Sequence, residues 1–296
     1  MDLRAILMGV AFAFMWSSAF SSARIIVADA PPLMSLSLRF LLSGLIAVGI
    51  AAALGQHWRL TREQWRATIL FGICQNALYL GLNFMAMQTI EASLAAIIAS
   101  SLPLLVAMVG WALLGQRLPW LGVAGLAAGF AGVIVIMGGR IGAGGVDPLG
   151  LTLCLLGALA LASATLALRN ASSGGNVLMI VGLQMLVGSA ALAPAALALE
   201  TFEVRWSWEL VAAFVYTLVV PGLVATWVWF RLVQRIGTVR AATFHFLNPF
   251  FGVAVAALVL GEAVGPWDVV GVAVVMAGIL AVQWARTPAP PRSPSG

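Results

Sequence analysis

The sequence predicts an all-α membrane protein of ten transmembrane helices arranged as two inverted five-helix repeats. Three observations lead there: ten apolar stretches of spanning length, a composition 62% hydrophobic and 8% charged over 296 residues, and a pattern that recurs after 146 positions. So little polar surface cannot solvate a globular domain of this size.

Crossing about 30 Å of hydrocarbon takes roughly 20 apolar residues in a helix. The first stretch, about 4–27, begins Met1-Asp2-Leu3-Arg4 and reaches Ser17-Ser18-Ala19-Phe20-Ser21-Ser22-Ala23. It resembles a secretory signal, but cleavage would unpair the halves, so it is read as an uncleaved helix. The second stretch (about 33–55) holds Arg39, and the third (about 65–88) holds Gln75, Asn76, Tyr79 and Asn83. The fourth (about 92–114) contains Ser100 and Pro103, and the fifth (about 120–137) contains Gly122, Gly125, Gly129 and Gly132. The second series runs at about 148–168 with Ser163, 177–198, 208–233 with Trp227 and Trp229, 241–260 with His245, Asn248 and Pro249, and 267–284.

The halves align without a gap over 90–136 and 236–282, pairing Ala95 with Ala241, Ala96 with Ala242, Pro103 with Pro249, Gly115 with Gly261, Gly125 with Gly271 and Gly132 with Gly278. A paired proline and three paired glycines in one register mark a repeat. Five helices per unit is odd, so the second unit enters the membrane upside down. The Gly-rich stretch from Gly138 to Pro148 is the joint, which assigns residues 1–140 to the first repeat and 146–285 to the second. The tail 286–296, rich in Pro and Ser, is expected to be disordered and cytoplasmic.

All 15 basic residues are arginine. With the N-terminus in the cytoplasm, Arg4, Arg59, Arg62, Arg66, Arg117, Arg169, Arg231, Arg235, Arg240, Arg286 and Arg292 fall on that side, whereas of the carboxylates only Asp2 and Glu63 do. The positive-inside rule therefore puts both termini in the cytoplasm of a multi-pass protein of the bacterial inner membrane. The net charge of +5 reflects this topology, and no basic run is long enough to bind nucleic acid. Cys74 and Cys154 lie inside predicted helices and imply no disulfide.

Phe230-Arg231-Leu232, Ile236-Gly237, Arg240-Ala241-Ala242, Asn248-Pro249 and Gly261-Glu262, with Trp16-Ser17-Ser18 and Arg39-Phe40 in the first half, resemble the repeats of the EamA-type carriers of the drug/metabolite transporter superfamily. The resemblance covers essentially the whole chain. The Trp-Ser-Ser-Ala opening and the Pro-kinked fourth and ninth helices look most like amino-acid exporters of the YddG type. One departure is Gly115-Gln116 where the second repeat has Gly261-Glu262, so a function that needs this carboxylate in both halves is not expected.

Polar residues inside the membrane are the candidates for a pathway. Pro103 and Pro249 are expected to free the carbonyls of Ala99 and His245, either to line a wet cavity or to make a bend satisfied by Ser100, Ser101 or water. Asn76, Tyr79 and Asn83 share one helical face, as a cavity lining or as hydrogen-bond glue between helices. His245 is either a neutral hydrogen-bonding residue or a substrate contact, while Trp16, Ser17, Ser163 and Asn248 are further candidate contacts and Trp227 a candidate aromatic wall or interface anchor. Arg39 is the costliest residue to insert; it either snorkels or pairs with Asp29 or Glu91, or it attracts a substrate carboxylate. Arg39, Pro103, Pro249, Gly125 and Gly129 are assigned gating or structural roles, the glycines packing helices closely within the 4–5 and 9–10 pairs.

Enzyme motifs and a P-loop are absent, which leaves a secondary carrier or a passive pathway. No mid-helix carboxylate suits a cationic drug, and one or two intramembrane arginines do not suit sugar nucleotides. Neutral polar groups and aromatic walls suit a small zwitterion with an apolar side chain, and the resemblance implies the export of aromatic or other hydrophobic amino acids. The expectation is facilitated uniport by alternating access, by a monomer whose partners are its amino-acid substrate and the lipid bilayer, with no metal, cofactor or nucleic acid. The alternatives are a proton-coupled drug or metabolite exporter and a non-transporting scaffold or channel.

Overall fold

The computed structural model describes residues 2–142, 145–167 and 175–285. Arg169, Arg286, Arg292 and the tail 286–296 lie outside the described residues. Among the described residues ten helices are long and apolar enough to span a bilayer: α1 (Leu3–Asp29), α2 (Pro32–Ala53), α3 (Arg62–Ala86), α4 (Ala92–Ala112), α5 (Trp120–Arg140), α6 (Pro148–Ala167), α7 (Val177–Leu199), α8 (Trp208–Ile236), α9 (Arg240–Leu260) and α10 (Pro266–Ala285). No strand occurs among the described residues. Leu38, Leu41, Leu42, Leu45 and Ile46 stand exposed along α2, the surface a bilayer would cover.

The helices pack chiefly across the repeats rather than within them. α5 lies along α10 and α2 along α7; α1 packs on α8 and α9, and in the reciprocal arrangement α6 packs on α3 and α4. Glycines make the closest of these contacts possible. A Cβ at Gly125 would stand 2.9 Å from the carbonyl oxygen of Gly278, and one at Gly132 would stand 2.8 Å from that of Gly271. The sequence repeat equates Gly125 with Gly271 and Gly132 with Gly278, so the contacts exchange repeat-related positions across the interface, as two-fold-related halves must. The glycine strip thus joins the two repeats, and the expected bracing within the 4–5 and 9–10 pairs is corrected. Gly129 alone also faces α4, where a Cβ would meet Leu104. On α2 and α7 a reciprocal clasp does similar work: the Ser37 hydroxyl donates to the Ser189 carbonyl at 3.0 Å and the Ser189 hydroxyl to the Ser37 carbonyl at 2.8 Å.

Two departures from regular α-helix are related by the repeat. Gly72–Tyr79 in α3 and Leu218–Val224 in α8 are wound as π-helix, and their starts are separated by the same 146 positions as the paired prolines. Residue spacing gave no sign of them, because a π turn inserts one residue without changing which residue types are apolar. The other departure is at the prolines, which sit at the start of the second half of each broken helix, Leu102–Leu114 and Asn248–Leu260. Before Pro249 the chain tightens to a 3-10 turn, Phe244–Leu247, in which the backbone N–H of Asn248 donates to the His245 carbonyl. The expected free carbonyl at His245 is therefore occupied: the tighter winding supplies an i+3 donor where proline has removed the i+4 one. In α4 the Ser100 and Ser101 hydroxyls bond back to the carbonyls of Ala96 and Ile97, at 2.6 and 3.2 Å.

Helix ends are capped across the repeats as well. Glu200 accepts from Leu33 and Met34 at the start of α2, at 2.6 and 2.9 Å, and Glu262 accepts from Ala92 and Ser93 at the start of α4, at 2.7 and 3.0 Å. At the N-terminal face an amide replaces the carboxylate, with Gln56 accepting from Met179 of α7 at 2.9 Å. Gly115 and Gly261 end their helices with φ of 61° and 68°, the left-handed turn that glycine allows. The residue after Gly261 then reaches back to the first repeat, whereas the Gln116 side chain folds back on Gly110. Glu262 is thus a structural cap. Glu262→Ala is expected to lower stability by about 1–2 kcal/mol and Glu262→Gln by less, measured as the unfolding midpoint of the purified protein in detergent.

The remaining ion pairs sit at the two faces. Away from the N-terminus, Arg140 holds Glu91, Asp268 at 3.0 Å and the Ser93 hydroxyl, and Arg205 holds Asp29 at 3.2 Å. There the Asp147 carboxyl is held below its ordinary range by a hydrogen bond from Thr89. At the N-terminal face Asp2 pairs with Arg235, whose hydrogen bonds bring its carboxyl down to about 2.

Candidate functional site

The helices that cross the repeats enclose a cavity of about 470 Å³ in the half of the bundle nearer the N-terminus. Its apolar wall combines aliphatic side chains such as Leu102, Leu161 and Met185 with six aromatic ones: Phe12 and Trp16 from α1, Phe40 from α2, Phe71 from α3, and Trp229 and Phe230 from α8. Phe12 is the hub, with ring centroids 5.7 Å from Trp16, 4.8 Å from Trp229 and 5.3 Å from His245. The polar wall is mostly neutral: Gln75, Asn76 and Tyr79 from the π turn of α3, Ser100 from α4, Thr165 from α6, Gln184 from α7, Thr226 from α8, and His245 and Asn248 from α9. Among the described residues, Arg39 brings the one formal cation of the lining and no carboxylate belongs to it.

A smaller cavity of about 50 Å³ continues toward the opposite face, lined by Phe20, Ala23, Asn83, Phe84, Met87 and Thr217 among others. Trp16, Arg39, Tyr79, Leu80 and Pro221 line both spaces and form the layer between them. A further depression of about 590 Å³ lies beyond, at the face away from the N-terminus, rimmed by Glu91, Arg140, Asp147 and Asp268. It is less suited to hold a ligand, because those charges are already engaged with one another or with Thr89.

Arg39 is buried, 7% exposed, with its Nε lacking any partner. Its Cζ stands 4.9 Å from the Phe40 ring centroid. The carboxylates expected to pair with it are taken elsewhere, Asp29 by Arg205 and Glu91 by Arg140. Asn248 contributes an orphan of the complementary kind. Its Nδ2 lies 3.0 Å from His245 Nδ1, and its buried Oδ1 has no partner. Buried polar atoms are rarely left unpaired, so two orphans around one cavity call for a ligand or water.

Of the candidate residues, Trp16, Asn76, Tyr79, Ser100, His245 and Asn248 line the main cavity together with Arg39 and Pro103. Asn83 does not. Its Nδ2 donates to the Tyr79 carbonyl at 2.7 Å and its Oδ1 accepts from Cys154 at 3.3 Å, because the π turn spoils the 3.6-residue register and turns it toward α6. Ser17 joins α1 to α9 through the Asn248 carbonyl, at 3.2 Å. Ser163 and Trp227 are exposed on the outside of the bundle and take no part in the cavity; Trp227 stacks under Arg231 instead. Pro249, Gly125 and Gly129 are packing positions away from the lining. Asn76 proves to be both lining and glue, its Nδ2 donating to the Gln184 carbonyl at 2.9 Å. Sequence reasoning missed Phe12, Thr165, Gln184 and Thr226. Gln184 was findable, as the only amide in α7.

The sequence pattern of the EamA-like transporter family matches residues 3–138 and 148–284. The chain is 26% identical to the uncharacterized transporter YvbV of Bacillus subtilis over 84% of its own length and 81% of that protein, and 24% identical to the uncharacterized inner membrane transporter YedA of Escherichia coli K12 over 88% and 83%. A solved crystal structure superposes with a TM-score of 0.66 at 23% identity, covering 95% of this chain and 96% of that one, a likeness of fold.

Proposed function

We propose that this chain, which belongs to the EamA-like transporter family, exports small zwitterionic metabolites, chiefly amino acids with aromatic or other apolar side chains, by alternating access. The observation that carries this reading is the composition of the central cavity: an aromatic wall facing neutral amides and hydroxyls, one arginine, and no carboxylate. A multiply charged phosphate would find too few cations there, and a cationic drug would find no anion. An amino acid matches each group, with the ring or alkyl side chain against Phe12, Trp16 and Trp229 and the polar end toward α3 and Arg39. Volume agrees with this class, since small-molecule sites commonly run to about 300–1,000 Å³.

The layer of Trp16, Arg39, Tyr79, Leu80 and Pro221 supplies the inner gate, and the ion pairs around Arg140 close the far side. Rocking of the repeats about the α2–α7 and α5–α10 contacts would open one side as it closes the other. With both termini cytoplasmic in a bacterial inner membrane, the larger chamber loads from the cytoplasm and export follows the substrate gradient. The proton-coupled alternative depends on His245, the one imidazole of the lining among the described residues.

Binding to the purified full chain, followed by quenching of tryptophan fluorescence, tests the substrate class. Saturable, stereoselective binding of phenylalanine or leucine with none of a dicationic drug is expected, and the reverse order would refute the reading. Topology is tested by single cysteines at Gln56 and Thr201, on loops at opposite faces, in a background lacking Cys74 and Cys154. An impermeant thiol reagent applied to spheroplasts should label the one at 201 and spare the one at 56; same-side labelling would sink the ten-span orientation.

A further inference from the structure

We propose that Arg39 is the anion anchor of the central cavity, and that the transported molecule is recognised first by its free carboxylate and only second by its amine. The inference rests on the transporter reading above and sharpens it.

An arginine only 7% exposed, with no salt bridge among the described residues, is costly unless something anionic visits it. The Phe40 ring, 4.9 Å from Cζ, gives a cation–π contact but no neutralising charge. Asp29 and Glu91 are held by Arg205 and Arg140, so neither is free to neutralise it. Snorkelling would place the head at the opposite face, yet it lies between the two chambers beside Tyr79 and Pro221. Its Nη2 approaches the π turn of α8, where a Cβ on Gly222 would stand 3.4 Å away, and the Ser43 hydroxyl, also buried and without a partner, would stand 3.5 Å from the same point. Arg39, whose Nε has no partner, and the unpartnered Ser43 hydroxyl therefore both approach the bare backbone at Gly222.

Position adds a second argument. A carrier's anchor has to be reachable from both sides in turn, and Arg39 belongs to the layer shared by both cavities. The amine side is weaker. The unpartnered acceptor at the cavity is the neutral Oδ1 of Asn248, and a neutral hydrogen bond contributes far less than a buried charge-assisted pair. The geometry therefore ranks the substrate's functional groups: carboxylate, then apolar body, then ammonium.

The test compares phenylalanine, phenylalaninamide and 3-phenylpropionate on the full-length wild-type protein in detergent, by isothermal titration. The amide is expected to bind about 100-fold or more weakly than phenylalanine, and the propionate within about tenfold of it. Arg39→Gln should flatten the difference between acid and amide, and Arg39→Lys should restore part of it without the bidentate geometry. The proposal is overturned if the amide binds as well as the amino acid, or if Arg39→Gln weakens both equally. Binding of the propionate without phenylalanine would refute the amino-acid reading while sparing the anchor, and failure of all three ligands would overturn both. The wild-type ligand series decides the matter even if the variants do not fold.

Discussion

Gly278→Val is expected to abolish the folded protein, and Gly278→Ala to cost about 1–3 kcal/mol or more. A Cβ at this position would lie 2.5 Å from the Gly129 nitrogen and 2.6 Å from both the Gly125 oxygen and the Gly129 Cα. These are backbone atoms of α5, so no side chain can swing aside and the helix itself must move. Movement of α5 also disturbs the two-fold-related contact of Gly132 with Gly271 along the same seam. The natural control is Gly49→Ala, at a helical glycine with nothing within 4 Å of the added Cβ, where the gain in helix propensity should leave stability equal or slightly higher. Size-exclusion profiles and unfolding midpoints of the three proteins check this, and a normal profile for Gly278→Val would mean that the α5–α10 seam does not hold the repeats together.

Tyr79→Ala is expected to reduce transport by more than about tenfold, the largest effect among the neutral lining residues, since a factor of ten takes only about 1.4 kcal/mol. Tyr79 is 4% exposed and belongs to the layer that divides the two chambers, so truncation removes both a wall of the site and part of the barrier. Ser163→Ala and Trp227→Leu change residues on the outside of the bundle and should leave the rate within about twofold. Equal losses in all three would show that the cavity is not the pathway. Initial rates from proteoliposomes, normalised to folded protein, give the comparison.

Much of the fold is legible in the sequence because membrane insertion forces each span to declare itself through length and hydropathy. Paired Pro103 and Pro249, and paired Gly125 and Gly271, reveal the repeat for the same reason: residues that break or tighten helices tolerate few substitutes. What the glycines touch is less legible. A small residue says that something approaches closely, not which helix does, and α10 rather than α4 turned out to be the main neighbour of Gly125. The cavity lining is legible only as far as helical periodicity holds. Asn76 and Tyr79 lie on the main cavity as their spacing suggests, while Asn83 lines the smaller cavity instead, past the π turn of Gly72–Tyr79. The sequence singles out Trp227 as the candidate aromatic wall, and only the packing of α8 decides that Trp229 faces inward beside Phe12 and His245 instead. The isolation of Arg39 was beyond the sequence, since it depends on Arg205 and Arg140 claiming the nearby carboxylates first.

Counterflow separates facilitated from proton-driven transport in proteoliposomes preloaded with unlabelled phenylalanine and given labelled phenylalanine outside, with and without an imposed pH gradient. A facilitative carrier predicts transient accumulation of label that saturates, and no sustained accumulation when the pH gradient is the sole driving force. His245→Gln should weaken binding but preserve this exchange, with a rate nearly flat between about pH 6 and 8. Uphill accumulation driven by the pH gradient in the unmodified protein, lost in His245→Gln, would contradict the uniport account and make the histidine a proton carrier; the absence of any exchange would contradict the transport of amino acids itself.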